Sequence, residues 1–144
     1  MATIQDILTQ KGRQVATIGK EETVLKAARR MNELHIGALV ITDAEGKVEG
    51  IFTERDILTR VVAQEVNPAE ATVGEYMTED LVTVPLEISI DEVQQIMTAN
   101  RVRHLPIIDK ERKLAGMLSI GDMLKHELQT KEATISDLKK YVFQ

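Results

Sequence analysis

The apolar and polar positions of this chain follow the same order twice. A short β-rich segment, at 15–18 and again at 81–84, precedes a helical pattern in which apolar residues recur three and four positions apart. Two strands joined by a polar turn come next, at 38–42 with 48–52 and at 104–108 with 114–118. A final helix begins at Thr53 in the first unit and at Ser119 in the second. The pattern therefore predicts the order β-α-β-β-α twice.

A direct alignment shows that the two units are copies of each other. Residues 15–58, laid over residues 81–124 without a gap, give eleven identities in forty-four positions. One such unit leaves a face of its small sheet uncovered, so we expect the copies to close a core around a pseudo-twofold axis. The predicted fold class is α/β of the α+β kind: two βαββα repeats and a C-terminal helical extension. The predicted boundaries are 1–66 for the first repeat with an N-terminal helix, 67–71 for a linker, 72–128 for the second repeat and 129–144 for a helical tail.

Two differences separate the copies. The segment 4–8 resembles the segment 73–77, but the two lie three residues out of the 66-residue register, which indicates an insertion near Gln10-Lys11-Gly12. In the turn between the paired strands, the first copy has Gly46, which can adopt a positive φ angle, and the second has Arg112. We expect the second turn to be the more strained or the more mobile one.

The C-terminal tail carries an apolar stripe of its own. Its positions alternate at spacings of four and three over about three heptads, with the polar Lys131 at one of them. The apolar residues of the stripe are Leu124, Leu128, Ile135, Leu138 and Val142. Two arrangements fit this stripe: packing at a homodimer contact, or folding back on the chain's own repeats.

Composition and charge remove several classes of function. The chain has no cysteine, which excludes disulfides, a thiol nucleophile and zinc–thiolate sites, and it has no apolar run long enough to span a membrane. A net charge of −5 argues against general affinity for nucleic acid. With two Phe and two Tyr as its only aromatic residues, a bound base would have to lie between aliphatic side chains. The start of the chain lacks the features of a signal peptide, so we predict a cytoplasmic location.

Each copy ends in a hydroxyl residue followed three positions later by an aspartate. Thr53 and Asp56 form this pair in the first copy, and Ser119 and Asp122 form it in the second. As a structural alternative, each pair is a capping box at a helix start. As a ligand site, the aspartate would accept hydrogen bonds from both hydroxyls of a ribose, while the hydroxyl residue and the helix amides hold a phosphate. Both roles are compatible, and the duplication favours a ligand site.

Basic residues distinguish the second copy from the first. Arg101, Arg103 and His104 open a predicted strand, where alternation would place both arginines on one side. This patch is either a solvated strand end or a phosphate clamp, for which the planar guanidinium is well suited. Arg55 is a further phosphate candidate in the first copy, and its counterpart is Gly121. The two sites are therefore predicted to be chemically unequal.

Catalysis is not favoured by any of these residues. Ser119, His104 and an aspartate are the components of a hydrolytic triad, but no nucleophile-elbow sequence surrounds Ser119. The histidines lack metal-ligand spacing. We predict a protein that is not an enzyme, with no metal and no catalytic cofactor.

The motifs at 50–56, 103–107 and 116–122 together resemble those of a tandem pair of cystathionine beta-synthase (CBS) domains, also called a Bateman module. The resemblance covers residues 4 to about 128. It implies two repeats packed through their sheets, with clefts between them, and modules that commonly dimerise into a flat disc.

The resemblance also implies a function: a stand-alone regulatory module that binds an adenine nucleotide, such as AMP, ADP, ATP or NAD, and passes its state to a protein partner. In the family's pattern, Asp56 and Asp122 hold ribose, Thr53 and Ser119 lie by ribose or phosphate, and Arg55 and Arg103 meet phosphate. The implied adenine pocket is lined by Thr17, Gly37, Ala38, Thr83, His104 and Pro106. A homodimer is expected. The alternative is a dimerisation or interaction module that binds no ligand.

Overall fold

The computed structural model describes residues 3–12 and 14–143, with side chains as far as Lys131. Helices alternate with strands along the chain, and the strands form two small sheets. This arrangement confirms the predicted fold class. The elements are α1 Ile4–Lys11, β1 Thr17–Ile18, α2 Val24–Leu34, β2 Ala38–Thr42, β3 Val48–Thr53, α3 Glu54–Asp56, a π-helix Ile57–Val62, α4 Val73–Tyr76, α5 Ile90–Asn100, β4 His104–Ile108, β5 Leu114–Ser119 and α6 Ile120–Phe143.

The first sheet has the strand order β1-β2-β3, with β1 parallel and β3 antiparallel to β2. Alternation along β2 places Leu39 and Ile41 in a core cluster with α2, and both are fully buried. Ala38 and Val40 point to the opposite face, and they are buried as well. Both faces of this sheet are therefore covered.

The second sheet differs from the prediction, because residues 81–84 do not form a strand. Only Val84 pairs with β4, through an isolated bridge to Ile107. In the first repeat, Val40 donates its N–H to Ala16 at 3.1 Å, and this bond extends the pairing of β1. The counterpart of Val40 is Pro106, which has no N–H to donate. The proline thus limits the pairing to one residue.

The turns between the paired strands have the predicted inequality. Gly46 has a φ of 85° and Arg112 a φ of 66°, so Arg112 lies in the left-handed region that residues with a Cβ disfavour. The two turns also meet: Val48 N–H donates to the Arg112 carbonyl at 3.1 Å, and Leu114 N–H donates to the Gly46 carbonyl at 3.5 Å. The prediction of a strained second turn is confirmed.

The short helices α1 and α4 are exchanged between the repeats. α1 belongs to the first repeat by sequence, yet Ile4, Ile7 and Leu8 lie in the core of the second repeat, with Val93, Leu105 and Leu118 among others. α4 follows the linker, and its Val73 lies in the core of the first repeat. A Cβ added at Gly116 would lie 3.2 Å from Leu8 Cδ2, so the absent side chain makes room for α1. The boundaries predicted along the chain stay a prediction, but in space each core is completed by a helix from the other segment.

The final helices differ in form. In the first repeat α3 passes into the π-helix, where the Ala63 N–H donates to the Leu58 carbonyl five residues earlier at 2.9 Å. In the second repeat α6 continues without a break from Ile120 to Phe143. The side chains of Ile135, Leu138 and Val142 lie outside the described part of the chain. Both arrangements of the apolar stripe, at a homodimer contact or against the chain's own repeats, therefore stay predictions. None of the described helices is long and apolar enough to cross a membrane.

Candidate functional site

A cavity of about 650 Å³ lies between the two repeats. This volume is within the range of about 300–1,000 Å³ that suits a small-molecule site. Its lining consists of Gly37, Ile51, Thr53, Glu54, Arg55, Asp56, Leu58, Thr78, Arg101, Val102, Arg103, His104, Ser119, Ile120 and Gly121. Both helix starts that carry the duplicated motif therefore open onto one cavity, which we call the cleft.

Asp56 is the buried carboxylate of the cleft, with 7% of its surface exposed. Its Oδ2 accepts hydrogen bonds from the Thr53 N–H at 2.9 Å and the Thr53 hydroxyl at 3.2 Å. Its Oδ1 accepts from the Thr78 hydroxyl at 3.3 Å and lies 3.7 Å from Arg60 Nε. The Asp56 N–H donates back to Thr53 Oγ1 at 3.2 Å, which completes the predicted capping box. Capping thus fixes the orientation of a carboxylate that also faces the cleft.

Asp122 has the same backbone setting but a different partner. Its Oδ2 accepts from the Ser119 N–H at 2.8 Å, and its own N–H donates to Ser119 Oγ at 3.1 Å. The same Oδ2 is 2.6 Å from Lys11 Nζ, at the end of α1. Asp122 does not line the cleft, although the residues from Ser119 to Gly121 do.

Three arginines surround the cleft. Arg55, Arg101 and Arg103 line it together with two carboxylates, those of Glu54 and Asp56. Within the described part of the chain, no ion pair or side-chain hydrogen bond engages these three guanidinium groups. A protein of net charge −5 thus places three guanidinium groups without an ion-pair partner, against two carboxylates, at one cavity, which suits an anionic ligand.

The route by which Arg101 reaches the cleft differs from the prediction. Arg101 is the C-terminal cap of α5 with a φ of 53°, and β4 begins only at His104. Strand alternation therefore does not relate Arg101 to Arg103. The left-handed cap turns the chain sharply at the end of α5, and both arginines line the cleft.

A sequence model of the CBS domain matches this chain twice, at residues 4–63 and 73–128. The chain belongs to the CBS domain family. Among curated relatives, the CBS domain-containing protein YhcV of Bacillus subtilis is 30% identical over 92% of this chain and 91% of its own length.

Solved structures of CBS-domain proteins have the same fold. The CBS-domain containing protein ATU1752 from Agrobacterium tumefaciens has a TM-score of 0.81 at 38% identity, covering 88% of this chain and 99% of its own. The CBS domain pair of protein MJ0100, solved in complex with 5-methylthioadenosine and S-adenosyl-L-methionine, has a TM-score of 0.81 at 25% identity. It covers 90% of this chain and 98% of its own.

Seven of the twelve residues predicted from the CBS resemblance line the cleft: Gly37, Thr53, Arg55, Asp56, Arg103, His104 and Ser119. The others lie elsewhere. Thr17 pairs with Val40 in the first sheet, Ala38 and Pro106 are buried on their strands, and Asp122 contacts Lys11. Thr83 lines a separate cavity of about 440 Å³ beside Asp109 and Lys110. Their roles in ligand binding stay predictions.

Sequence reasoning missed several residues of this CBS pair's cleft. Thr78 reaches Asp56 because the chain after α4 pairs with Ile51, where the Thr78 N–H donates to the Ile51 carbonyl at 2.9 Å. No local pattern in the sequence signals this pairing. Lys11, which pairs with Asp122 outside the lining of the cleft, was also missed, although it lies in the three-residue insertion that breaks the register before the first copy.

His104 lines the cleft in a half-buried position opposite Ser119 on the neighbouring strand. Burial lowers the pKa of His104 below its ordinary value of 6.5, and the positive charges of Arg103 and Lys11 act in the same direction. Glu54 and Asp122 raise the same pKa without reversing the shift. The imidazole is therefore neutral at pH 7 and adds no charge to the three arginines.

This lowered pKa gives a pH dependence of stability. Above pH 6.5 the imidazole is neutral in both the folded and the unfolded chain. Below pH 6.5 the unfolded chain binds a proton that the folded chain does not bind, so the free energy of unfolding falls until the pH reaches the folded pKa. We expect urea titrations between pH 7 and pH 5 to show this fall, and His104→Gln to reduce its slope. An unchanged slope in His104→Gln would exclude His104 as its source.

The described residues contain no group of three or more His, Asp or Glu side chains that could hold a metal ion. The hydroxyl of Ser119 accepts the Asp122 N–H, and no hydrogen bond in the described part of the chain joins Ser119 Oγ to the His104 ring. The residue types of a hydrolytic triad are therefore engaged here in helix capping and strand pairing.

Proposed function

We propose that this CBS pair is a regulatory module that binds one adenine nucleotide in the cleft. The observation that carries the proposal is the juxtaposition of three guanidinium groups that form no ion pair among the described residues with an oriented, buried carboxylate in a cavity of about 650 Å³. A nucleotide matches both features, because it offers a diol to the carboxylate and a phosphate to the arginines. The CBS domain pair of MJ0100 supports the choice of base, since 5-methylthioadenosine and S-adenosyl-L-methionine both carry adenosine.

In this proposal the ribose hydroxyls donate hydrogen bonds to the Asp56 carboxylate. A carboxylate has about four acceptor positions, and Thr53 and Thr78 fill three of those on Asp56. A diol brings two donors, so one threonine hydroxyl must rotate away from the carboxylate. A hydroxyl can both donate and accept, so it can bond the ribose after it has turned. Binding therefore exchanges hydrogen bonds and leaves no buried group without a partner.

The base fits the apolar part of the cleft. Ile51, Leu58, Val102 and Ile120 line it, and Leu58 and Ile120 expose 62% and 40% of their surface. A bound adenine would remove part of this aliphatic surface from water. Such burial is favourable by about 25 cal/mol per Å². The phosphate then lies toward Arg55, Arg101 and Arg103.

A thermal-shift panel with AMP, ADP, ATP and NAD tests the nucleotide. A ligand at 100 times its dissociation constant stabilises the fold by about 2.7 kcal/mol. We expect at least one of these nucleotides to raise the melting temperature, and inosine or free phosphate to raise it less. If no adenine nucleotide shifts the transition, the alternative function is favoured: a dimerisation module that binds no ligand.

We also propose that the protein is a homodimer through its final helices. Leu58 and Val62 are 62% and 60% exposed, and their counterparts 66 residues later, Leu124 and Leu128, are 54% and 59% exposed. The two copies thus present equivalent apolar pairs, and a pseudo-symmetric patch matches itself in a twofold arrangement. A protein partner that responds to the bound nucleotide would complete the regulatory role.

Two substitutions away from the cleft test the homodimer. Val62→Asp with Leu128→Asp places charges in the apolar patch, and neither residue lines the cleft. We expect light scattering after gel filtration to give the mass of one chain for this variant and of two chains for the wild type. Leu34→Asp, at a residue that is 49% exposed outside the patch, is the matched control. A dimeric double variant would contradict the proposed interface.

A further inference from the structure

Lys11 joins the end of α1 to the second copy of the duplicated motif. Its ammonium donates to Asp122 Oδ2 at 2.6 Å and to the Met117 carbonyl at 2.8 Å. The side chains of Lys11 and Asp122 are 31% and 19% exposed, so the pair is neither deeply buried nor free in water. α1 itself is anchored in the second core by Ile4, Ile7 and Leu8. Lys11 is therefore held at Asp122 by a fixed helix.

In the first repeat Thr78 donates to the equivalent carbonyl and to the other oxygen of the equivalent aspartate. The Thr78 N–H donates to the Ile51 carbonyl at 2.9 Å, and its hydroxyl donates to Asp56 Oδ1 at 3.3 Å. Ile51 and Asp56 are the counterparts of Met117 and Asp122 in the 66-residue register. One ammonium group thus replaces a backbone amide and a hydroxyl. Lys11 places a positive charge 2.6 Å from Asp122, whereas the cation beside Asp56, Arg60, lies 3.7 Å away. Lys11 belongs to the insertion near Gln10-Lys11-Gly12.

The Lys11 contact changes what Asp122 can offer a ligand. Burial raises the pKa of Asp122, but the hydrogen bonds and charge of Lys11, together with Ser119, outweigh burial and leave that pKa below its ordinary value. The carboxylate is charged and already paired. Among the described residues, no hydrogen bond reaches its Oδ1. Asp122 therefore has an open acceptor, but its position is controlled by Lys11.

We propose that Lys11 is a latch that competes with a ribose diol for Asp122, and this inference rests on the proposed function. A diol that binds through both oxygens of Asp122 must displace the ammonium from Oδ2. Ligand binding at Asp122 is thereby made weaker than binding at Asp56, whose closest side-chain donors are the neutral hydroxyls of Thr53 and Thr78 and whose cationic neighbour, Arg60, lies farther away at 3.7 Å. Coupling is reciprocal, so ligand bound at Asp122 releases Lys11 and the last turn of α1.

Calorimetric titration with AMP in the Asp56→Asn background, where the ribose contact of Asp56 is weakened, gives more weight to binding at Asp122. We expect the further substitution Lys11→Met to tighten AMP binding about two- to fivefold, as removal of a competing, partly exposed ion pair allows. Loss of a positive charge alone would act in the opposite direction, because AMP is an anion. Lys26→Met is the matched control, since Lys26 also forms an ion pair, with Glu22 at 2.9 Å on α2, and lies outside the lining of the cleft.

A second measurement tests the contact between Lys11 and Asp122 in the absence of ligand. We expect the pKa of the Asp122 carboxyl, followed by NMR, to rise in Lys11→Met and not in Lys26→Met. An unchanged Asp122 pKa, or AMP affinity that Lys11→Met leaves equal or weaker, overturns the latch while the proposed function stands. Absence of binding of AMP, ADP, ATP and NAD to the wild type and to every variant overturns the proposed function and the competition together.

Discussion

Leu8→Ala is expected to lower the free energy of unfolding by about 2–5 kcal/mol, the range for truncating a buried leucine. Leu8 is fully buried, and it packs in the core of the second repeat against the space that Gly116 leaves open. The residue lies in the first ten positions of the chain, where truncation of a terminal segment ordinarily costs little. The expected loss is large because α1 completes the core of the opposite repeat.

Urea unfolding of Leu8→Ala, compared with Leu34→Ala, measures this effect. Leu34 ends α2 and is 49% exposed, so its truncation should cost well under 1 kcal/mol. Phe52→Ala, in the core of the first repeat, gives the scale of a buried truncation. If Leu8→Ala were as mild as Leu34→Ala, α1 would not be part of the second core, and Lys11 would not be held at Asp122.

Asp56→Asn is expected to weaken AMP binding about ten- to a hundredfold. A hydrogen bond to a charged group contributes about 1.5–3 kcal/mol, and the substitution removes the charge that the ribose hydroxyls bond while keeping the size of the side chain. Asparagine retains one acceptor for the Thr53 N–H, so the helix start should persist. The loss is therefore expected in affinity and only weakly in stability.

Asp122→Asn is the matched control for Asp56→Asn. Both carboxylates cap a helix after a strand, but in the wild type Asp122 is paired with Lys11 and does not line the cleft. Calorimetry should therefore give a much smaller loss for Asp122→Asn. Equal losses of AMP affinity in the two variants would show that both carboxylates contact the ligand to the same extent. If neither variant lost affinity, the duplicated motif would serve helix capping alone.

Much of the fold follows from local pattern. The alternation in β2 and the glycine at position 46 specify a hairpin, and the 66-residue register transfers that hairpin to β4 and β5. The same register also predicted the strained φ of Arg112. These features are readable because each depends on residues close together in sequence.

Features that depend on contacts between distant segments could not be predicted from local sequence pattern. The period of α1 shows which of its faces is apolar but not which core that face enters, so the exchange of α1 and α4 was missed. The shortened pairing at 81–84 depends on Pro106, which lies on a different strand. The missing N–H of Pro106 is the only sequence signal for this shortening.

In the candidate site, too, some residues could be predicted from local motifs and others could not. The capped carboxylate and the arginines were identified from motifs, whereas Thr78 and Lys11 reach the two aspartates from segments outside the duplicated units. Those outside residues make the halves of the cleft unequal, beyond the inequality of Arg55 and Gly121 that the sequence displays. Two copies of one motif thus acquire different partners because the segments before them differ by three residues.

A crystal structure of the wild-type protein with AMP would show whether the nucleotide binds at Asp56. We expect a single AMP in the cleft, with the ribose hydroxyls at hydrogen-bond distance from the Asp56 carboxylate, about 2.5–3.0 Å, and the phosphate beside Arg55, Arg101 or Arg103. AMP bound outside the cleft, or a cleft that stays empty at saturating AMP, would contradict this expectation.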